Sequence, residues 1–587
     1  MSGEGLHALA NLMPEAVPRL SGIELPSATA VAGGDVERHL LGDEPATDEP
    51  LFDAAVTADV QGNVVPGFNK DHQRFLFLVI DDVTRARAWL QWLAPRLSSM
   101  QEVLDFRREF RRERLLTGAA DPSAKATWTA FALSRSGVVT LLGEDALEQL
   151  GDEAFRQGMA ERSTYLGDPA TPGTSGHRGA WRVGGEDCQA DFLVTVAADS
   201  ADDAAEEAAA IIEVAARSGV RLLFEQTCAN LPGTLAGHEH FGFKDGVSQP
   251  GIRGVTADGE YLAPRYVDPR NPHARIFGKA GQPLVWPGQF VLGMPRQNPA
   301  DPQVPATDEG RFPDWARHGS YLVCRRLDQD VPAFWDFAAA GAEAHGTTPV
   351  HFASMLVGRW PSGAPISRAP EEDDLPLAGD EFANNHFLFD DDTGGWAPTT
   401  ALSEGGYAGD GHPKAKSDLF GQVCPMAGHI RKVNPRDSGT DFGAPADTFL
   451  RLMLRRGIPY GPPLAGVPDP APELVAAERG LMFVAHMASI EDQFEFVTRR
   501  WANSPLQPNA GGHDPIIGQS DVYGDRERTI ELRGANGERT TYTLDRAFVT
   551  ASGGGYFFAP PISAVGGHLA TTPEVDTAPE ATETPEN

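Results

Sequence analysis

Phe192-Leu-Val-Thr-Val196, a charged segment opening near Ser200 and closing before Gly219, and then Leu222-Leu-Phe224 form the stretch on which the fold turns. The first run is apolar or β-branched throughout, suits a buried strand, and is too short for a helix standing alone. After Ser200 come Asp202, Asp203, Glu206 and Glu207, where negative charge complements the positive end of a helix dipole. Gly219 then supplies the usual C-terminal stop, and Leu222-Leu-Phe224 reads as the next strand. The order is strand, helix, strand.

The same unit recurs on both sides. Upstream, Phe75-Leu-Phe-Leu-Val-Ile80 reads as a strand, and Thr84 caps a helix carrying Ala88, Leu90, Trp92 and Leu93 that ends near Pro95. Downstream, Tyr321-Leu-Val-Cys-Arg-Arg-Leu327 precedes a helix from Val331 to Ala340. Leu481-Met-Phe-Val-Ala485 precedes a helix from Ile490 to Trp501 with an apolar stripe at Ile490, Phe494 and Val497. Strand–helix units in two pairs predict an α+β protein of two related domains, each an antiparallel sheet with helices on one face. Periodicity alone is equally compatible with a doubly wound parallel sheet.

Composition shifts mark the boundaries. Residues 1–50, rich in Ala, Pro, Gly and acid, predict an irregular arm. An N-terminal domain over 51–254 follows, its ordered chain beginning near Asp59-Val-Gln-Gly-Asn-Val-Val-Pro66. Residues 255–318 read as a loop-rich connection with short strands such as Phe290-Val-Leu292, and 319–565 as the second domain. Within it, 362–425 is a long insertion whose acidic runs Glu371-Glu-Asp-Asp374 and Asp390-Asp-Asp392 read as solvated faces rather than metal sites. Residues 566–587, rich in Pro, Thr and Glu, predict a disordered acidic tail.

The 587 residues hold 82 acidic against 49 basic side chains, a formal charge of −33 that repels nucleic acid and anionic membranes. The 4 cysteines include no C-x-x-C pair, which excludes the common zinc patterns and a disulfide framework and suits a reducing compartment. No basic leader followed by an apolar core opens the chain, and no run approaches the ~18 apolar residues of a membrane span. The expectation is a cytoplasmic protein. Neither a Walker GK[ST] loop nor a G-x-S-x-G elbow is present.

Chemistry concentrates in three stretches. Gly242-Phe-Lys-Asp-Gly-Val-Ser-Gln-Pro-Gly-Ile-Arg-Gly254 is a shaped loop with Asp245 at its turn. Cys424-Pro-Met-Ala-Gly-His-Ile-Arg-Lys-Val-Asn-Pro-Arg436 and Met453-Leu-Arg-Arg-Gly-Ile-Pro-Tyr-Gly461 follow. In this order they resemble the pattern of the dye-decolorizing peroxidases, a family of haem enzymes, and Gly242-Phe-Lys-Asp-Gly246 resembles its GxxDG signature.

The resemblance covers about residues 55–565. It implies two ferredoxin-like domains with long loop insertions and one haem b per chain, bound between sheet and helices. It implies His429 as proximal ligand of the haem iron, with Asp514 accepting from its other ring nitrogen. Asp245 is the group that moves the peroxide proton, and Arg455 the fixed positive charge, with Arg456 the adjacent alternative. Leu481 and Phe483 face the haem, and Arg431 or Arg436 meets its propionates. An Asp, with an ordinary pKa of about 3.9, stays ionised in mildly acidic solution where a distal His is protonated. The partners are hydrogen peroxide and a phenolic, dye-like or other bulky one-electron donor, and a homo-oligomer is compatible with all of this. Two other functions fit the same residues: a haem carrier or iron-release protein on this fold, and a non-haem metal oxidoreductase using His238 and His240.

Overall fold

The N-terminal units fold, in this computed structural model, as β1 (His72–Ile80), α1 (Val83–Leu93), β2 (Thr127–Ser134), β3 (Phe192–Ala198), α2 (Ala201–Arg217) and β4 (Val220–Ala229). The C-terminal half supplies β5 (Ser320–Gln329), α3 (Val331–His345), α4 (Pro349–Val357) and α5 (His429–Val433). After these come β6 (Leu454–Arg455), β7 (Ile458–Tyr460), β8 (Gly480–Met487) and β9 (Val549–Ala559). The structure describes residues 49–571 except 118–123, 264, 266–274, 280, 307–311, 382, 391–411, 444–445, 468–469, 520–526 and 535–536. Residues 1–48 of the expected arm, 572–587 of the expected tail, and Asp391 and Asp392 lie outside the described residues, whereas the first part of the expected disordered tail is ordered, with Leu569 and Ala570 buried in the core.

Each half repeats one strand order. In the first, β2-β3-β1-β4 is the order second, third, first, fourth, and in the second β6 and β7 flank β8, followed by β5 and β9. Every pairing is antiparallel. This is the ferredoxin-like arrangement, twice. The halves are joined into one nine-stranded sheet by a short register, Phe557↔Ser134 and Phe558↔Leu133. β9 and β2 are the edge strands of their own halves, and pairing satisfies N–H and C=O groups that an edge leaves open. The opposite edges, β4 and β7, also lie against each other, so the sheet curls into a barrel.

Alternation along the strands splits the core in two. Phe75, Phe77, Leu193, Leu322, Met482, Val484 and Phe557 point into the barrel. Leu76, Leu78, Phe131, Leu133, Val194 and Phe558 point outward, where Trp89 and Leu90 of α1 and Ile211 of α2 cover them.

Local chemistry moves some elements from their expected places. Asp82, not Thr84, caps α1, accepting from the Arg85 N–H at 3.0 Å. α2 does start from Ser200, whose Oγ accepts from the Asp203 N–H at 3.1 Å. The strand expected at Phe290–Leu292 is a turn, because Pro287 lacks an N–H and starts a short helical turn over Pro287–Gln289. The helix after β8 is π-helical, over Ile490–Glu495 and Val497–Ala502. No helix among the described residues is long and apolar enough to cross a membrane.

Candidate active site

The loop entering α5 is built around one carboxylate. Asp418 accepts from the N–H groups of Gln422 (2.7 Å), Val423 (3.2 Å) and Cys424 (2.8 Å). Arg431 donates to Asp418 at 3.2 Å and to the Cys424 carbonyl at 2.9 Å. Arg431 is thus the buried staple of this loop, and it fixes where α5 begins. The first residue of α5 is His429.

His429 Nδ1 lies 2.7 Å from Asp514 Oδ2. The other Asp514 oxygen accepts from the N–H groups of Ile516 (2.8 Å) and Ile517 (3.0 Å). Burial raises the Asp514 carboxyl, but the His429 charge and these donors outweigh it and hold the group below its usual range. Burial works against the His429 cation, and Asp514 reverses that, leaving the imidazole more basic than usual. The segment carrying Asp514 is itself braced by the hairpin Arg528–Arg533/Arg539–Leu544, through His513 N–H to the Thr529 carbonyl at 2.8 Å. With Nδ1 donating to Asp514, Nε2 is left for a ligand.

His429 is surrounded by protein, yet 24% of its side chain is accessible, so it lines an interior space. β8 also has one face that is not fully covered. Leu481 and Phe483 keep partial exposure, whereas Met482 and Val484 on its other face are buried in the barrel. Leu327 on β5, in register with Leu481, and Met453 also keep partial exposure.

Asp245 closes a tight hairpin. His238 bridges Lys244, and the Asp245 N–H donates to the Gly237 carbonyl at 2.9 Å. Phe241 stacks on Phe334 of α3 at 4.4 Å, and Trp335 Nε1 donates to the Phe241 carbonyl at 3.1 Å. Gly246 follows at φ 73°, a conformation that favours glycine. The Asp245 carboxylate is exposed and faces an open cleft of about 270 Å³ lined also by Lys244, Gln249, Lys279 and Asn385.

Arg455 is held by the same loop. Its Nη2 donates to the Ser248 carbonyl at 2.7 Å, and Gln249 Nε2 donates to the Arg455 carbonyl at 3.2 Å. Asp245 and Arg455 both act on the His429 charge, the first raising its pKa and the second lowering it. Both charges are therefore within electrostatic reach of His429. Arg456 points elsewhere, donating to the Asn63 (3.2 Å), Val64 (3.0 Å) and Pro66 (3.1 Å) carbonyls of the other half.

Sequence reasoning missed Arg359. Its guanidinium donates to the Gly363 and Asn384 carbonyls, both at 2.7 Å, and to Ser248 Oγ and Asn385 Oδ1, both at 3.1 Å. Arg436 joins it, donating to the carbonyls of Asn385 (3.1 Å) and Phe387 (3.0 Å). Burial, with repulsion from Arg436 and Arg455, pushes Arg359 down to about 9, and burial pushes Arg436 down to about 10. Among the described residues neither forms an ion pair with a carboxylate of the protein. A buried cation held only by neutral groups, as Arg359 is, calls for an anion. A flat, apolar, iron-holding ring that carries carboxylates fits this donor set: a spare imidazole nitrogen, an apolar strand face and arginines at the edge.

The His238–His240 pair does not form a metal centre. His240 Nε2 lies 2.8 Å from the Tyr460 carbonyl, and burial pushes this imidazole down to about 4. No group of three or more His, Cys, Asp or Glu among the described residues is placed to hold an ion.

Residues 59–226 match the family model described as the DyP dimeric alpha+beta barrel domain. The chain is 30% identical over 547 residues to peroxidase 2 of Mycetinis scorodonius, covering 90% of this chain and 92% of that protein. It is 29% identical to the dye-decolorizing peroxidase AauDyP1 of Auricularia auricula-judae, over 88% of this chain and 87% of the relative. Among solved structures, an ancestral D-type dye-decolorizing peroxidase superposes with a TM-score of 0.68 at 29% identity, covering 88% of this chain and 99% of that one.

Proposed function

The chain belongs to the dye-decolorizing peroxidase family and is a haem-binding peroxidase that uses hydrogen peroxide and an electron donor, and we propose that His429, Asp514, Asp245, Arg455, Arg359 and Arg436 carry the reaction. Haem, when bound, supplies the iron at which peroxide is reduced and the oxidising power then spent on dyes and other bulky donors. Haem b, held without covalent attachment, is the form proposed, because the sequence has no C-x-x-C-H attachment motif.

His429 Nε2 is assigned as the iron ligand. Asp514, ionised and buried, accepts the Nδ1 proton, fixes the tautomer and keeps the imidazole strongly donating. Leu481 and Phe483 form the apolar wall that excludes water from one face of the ring. Arg359 and Arg436 are assigned to the haem carboxylates, since guanidinium suits carboxylate recognition. Arg431 is not, because Asp418 already engages it.

Asp245 takes the proton from one peroxide oxygen and returns it to the other, the leaving one. One oxygen of its exposed carboxylate accepts from the Gly246 N–H at 2.6 Å, and the other is left to meet the substrate, as such a base requires. Arg455 holds positive charge beside the separating oxygens, oriented in advance by the Ser248 carbonyl. The observations that carry the reading are the 2.7 Å contact of His429 with buried Asp514 and the anchoring of Arg455 on the loop that follows Asp245.

The test is the absorption spectrum of haem-supplemented protein before and after stoichiometric peroxide, beside His429→Ala. A Soret band that peroxide alters, and that loses its ligation signature in the variant, is expected. A band indifferent to peroxide would move the reading to a haem carrier, and absence of a band would remove haem from it.

A further inference from the structure

We infer that Glu239 is a positioning residue, whose carboxyl clamps the hairpin carrying Asp245 and ties it to Gln329 at the end of β5. The inference rests on the assignment of Asp245 given above. Glu239 Oε1 accepts from the Phe243 N–H at 3.0 Å, and Oε2 accepts from the Phe241 N–H at 2.9 Å and from Gln329 Nε2 at 2.6 Å. The turn is closed over it by Glu239 N–H to the Phe243 carbonyl (3.0 Å) and Gly242 N–H to the Glu239 carbonyl (2.9 Å). The carboxyl therefore fills the inside of the turn whose outgoing strand is Phe243-Lys244-Asp245.

Several ties set the position of Asp245, among them the Lys244 N–H to the Pro361 carbonyl at 3.1 Å, and Glu239 adds the one to the sheet. Phe241 and Phe243 hold the hairpin sideways against Phe334 and Trp335 of α3. The bond to Gln329 fixes the hairpin against the sheet instead, and β5 is the neighbour of β8, which bears Leu481 and Phe483. Glu239 thus transmits the position of the apolar wall to the loop opposite it. An acceptor-only carboxylate suits a site offering three donors. Burial pushes the carboxyl up to about 7, with those donors opposing and the Asp245 charge adding to the rise. The protonated form also has a partner, because Gln329 Oε1 is buried without a hydrogen bond and becomes an acceptor when the amide turns over. The clamp serves in either protonation state.

A misplacement of about 1 Å costs on the order of 100-fold in rate. In the holoenzyme, Glu239→Ala is expected to lower the second-order rate constant for peroxide by about that factor, leaving the KM for the donor unchanged. Glu239→Gln, which keeps an acceptor for one N–H and a donor for the turned Gln329, recovers most of the loss. In an Asp245→Ala background, Glu239→Ala adds nothing, since its effect passes through Asp245. In the haem-free chain, both the Phe241 and Phe243 amides exchange with deuterium faster in Glu239→Ala, whereas in Glu239→Gln the Phe243 amide, which keeps its acceptor, does not. A wild-type peroxide rate in Glu239→Ala, or an undiminished loss in the Asp245→Ala background, overturns the inference. If Asp245→Ala alone leaves the rate intact, the Asp245 assignment fails instead, and amide exchange decides the clamp by itself.

Discussion

The two halves of the barrel have the same strand order and cover their outer faces unequally: in the C-terminal half Tyr321, Val323, Ala485 and Met487 are buried, but the far end of the face is not. In the N-terminal half the helices seal the sheet. Trp89 of α1 stacks on Phe192 at 5.7 Å and meets Phe131 edge-on at 6.5 Å, and Leu90 and Ile211 are fully buried. In the C-terminal half α3 turns aside and packs on α4, with Phe337 against Phe352 at 6.0 Å. Leu327, Leu481 and Phe483 on the sheet beneath keep partial exposure. One copy of the fold is a foundation and the other is opened for a ligand. Arg359 and Arg436, which form no ion pair among the described residues, and the His429–Asp514 pair all belong to the opened copy.

If the opened copy is the reactive one, its polar groups control rate and the sealed copy controls stability. Asp245→Ala and Arg455→Leu are each expected to slow the peroxide reaction by about 10²–10⁴-fold. Stopped-flow absorbance of the haem band reads this, and bound haem should stay at wild-type level. Fast reaction in both variants would remove the distal assignments.

The sealed copy gives the next effect. Trp89→Ala leaves a cavity between α1 and the sheet and is expected to cost about 3–5 kcal/mol. Phe483→Ala, from a wall already partly accessible, should cost the haem-free chain clearly less. Denaturant unfolding of both haem-free variants checks this, and equal losses would mean that the two faces are equally sealed. Asp514→Asn then probes the ligand alone: haem affinity should fall by about 10–100-fold, read by transfer of haem to a stronger acceptor protein. An unchanged transfer rate would show that the 2.7 Å contact does not tune the ligand.

What the sequence disclosed follows the same division. β1, β3, β5 and β8 were legible because each contains a run of apolar residues of strand length. β9 was not, because Gly553-Gly-Gly555 interrupts its pattern, and one of those glycines must stay small: a Cβ on Gly554 would sit 2.3 Å from the Cys324 carbonyl. The single sheet was hidden because its seam joins residues 134 and 557, a pairing with no local signature. The helix after β8 was legible but its π form was not, because the spacing of Ile490, Phe494 and Val497 fits the 3.6-residue period. Asp245, His429 and Arg455 sit in motifs, so a resemblance could find them. Arg359, held by carbonyls and an amide from distant loops, carries its meaning only in three dimensions.

The smallest effect sharpens the comparison within a single strand. The outer face of β8 carries Leu481 and Phe483, whereas His486 points into the sealed barrel, where it is 1% exposed and neither ring nitrogen has a hydrogen-bond partner. Burial, with the Arg456 charge adding, pushes this imidazole down to about 3. In the unfolded chain an imidazole takes up a proton below about pH 6.5. The folded form therefore binds fewer protons than the unfolded form from that pH down to about 3, and stability falls as pH falls through this window. His486→Leu removes the contribution. Its stability relative to wild type should rise steadily as the solution is acidified from neutrality, read as the difference between urea midpoints at each pH. Parallel curves would show that the inner face of β8 is as open to protons as the outer face is to a ligand, and the contrast between sealed and opened surfaces would lose its sharpest boundary.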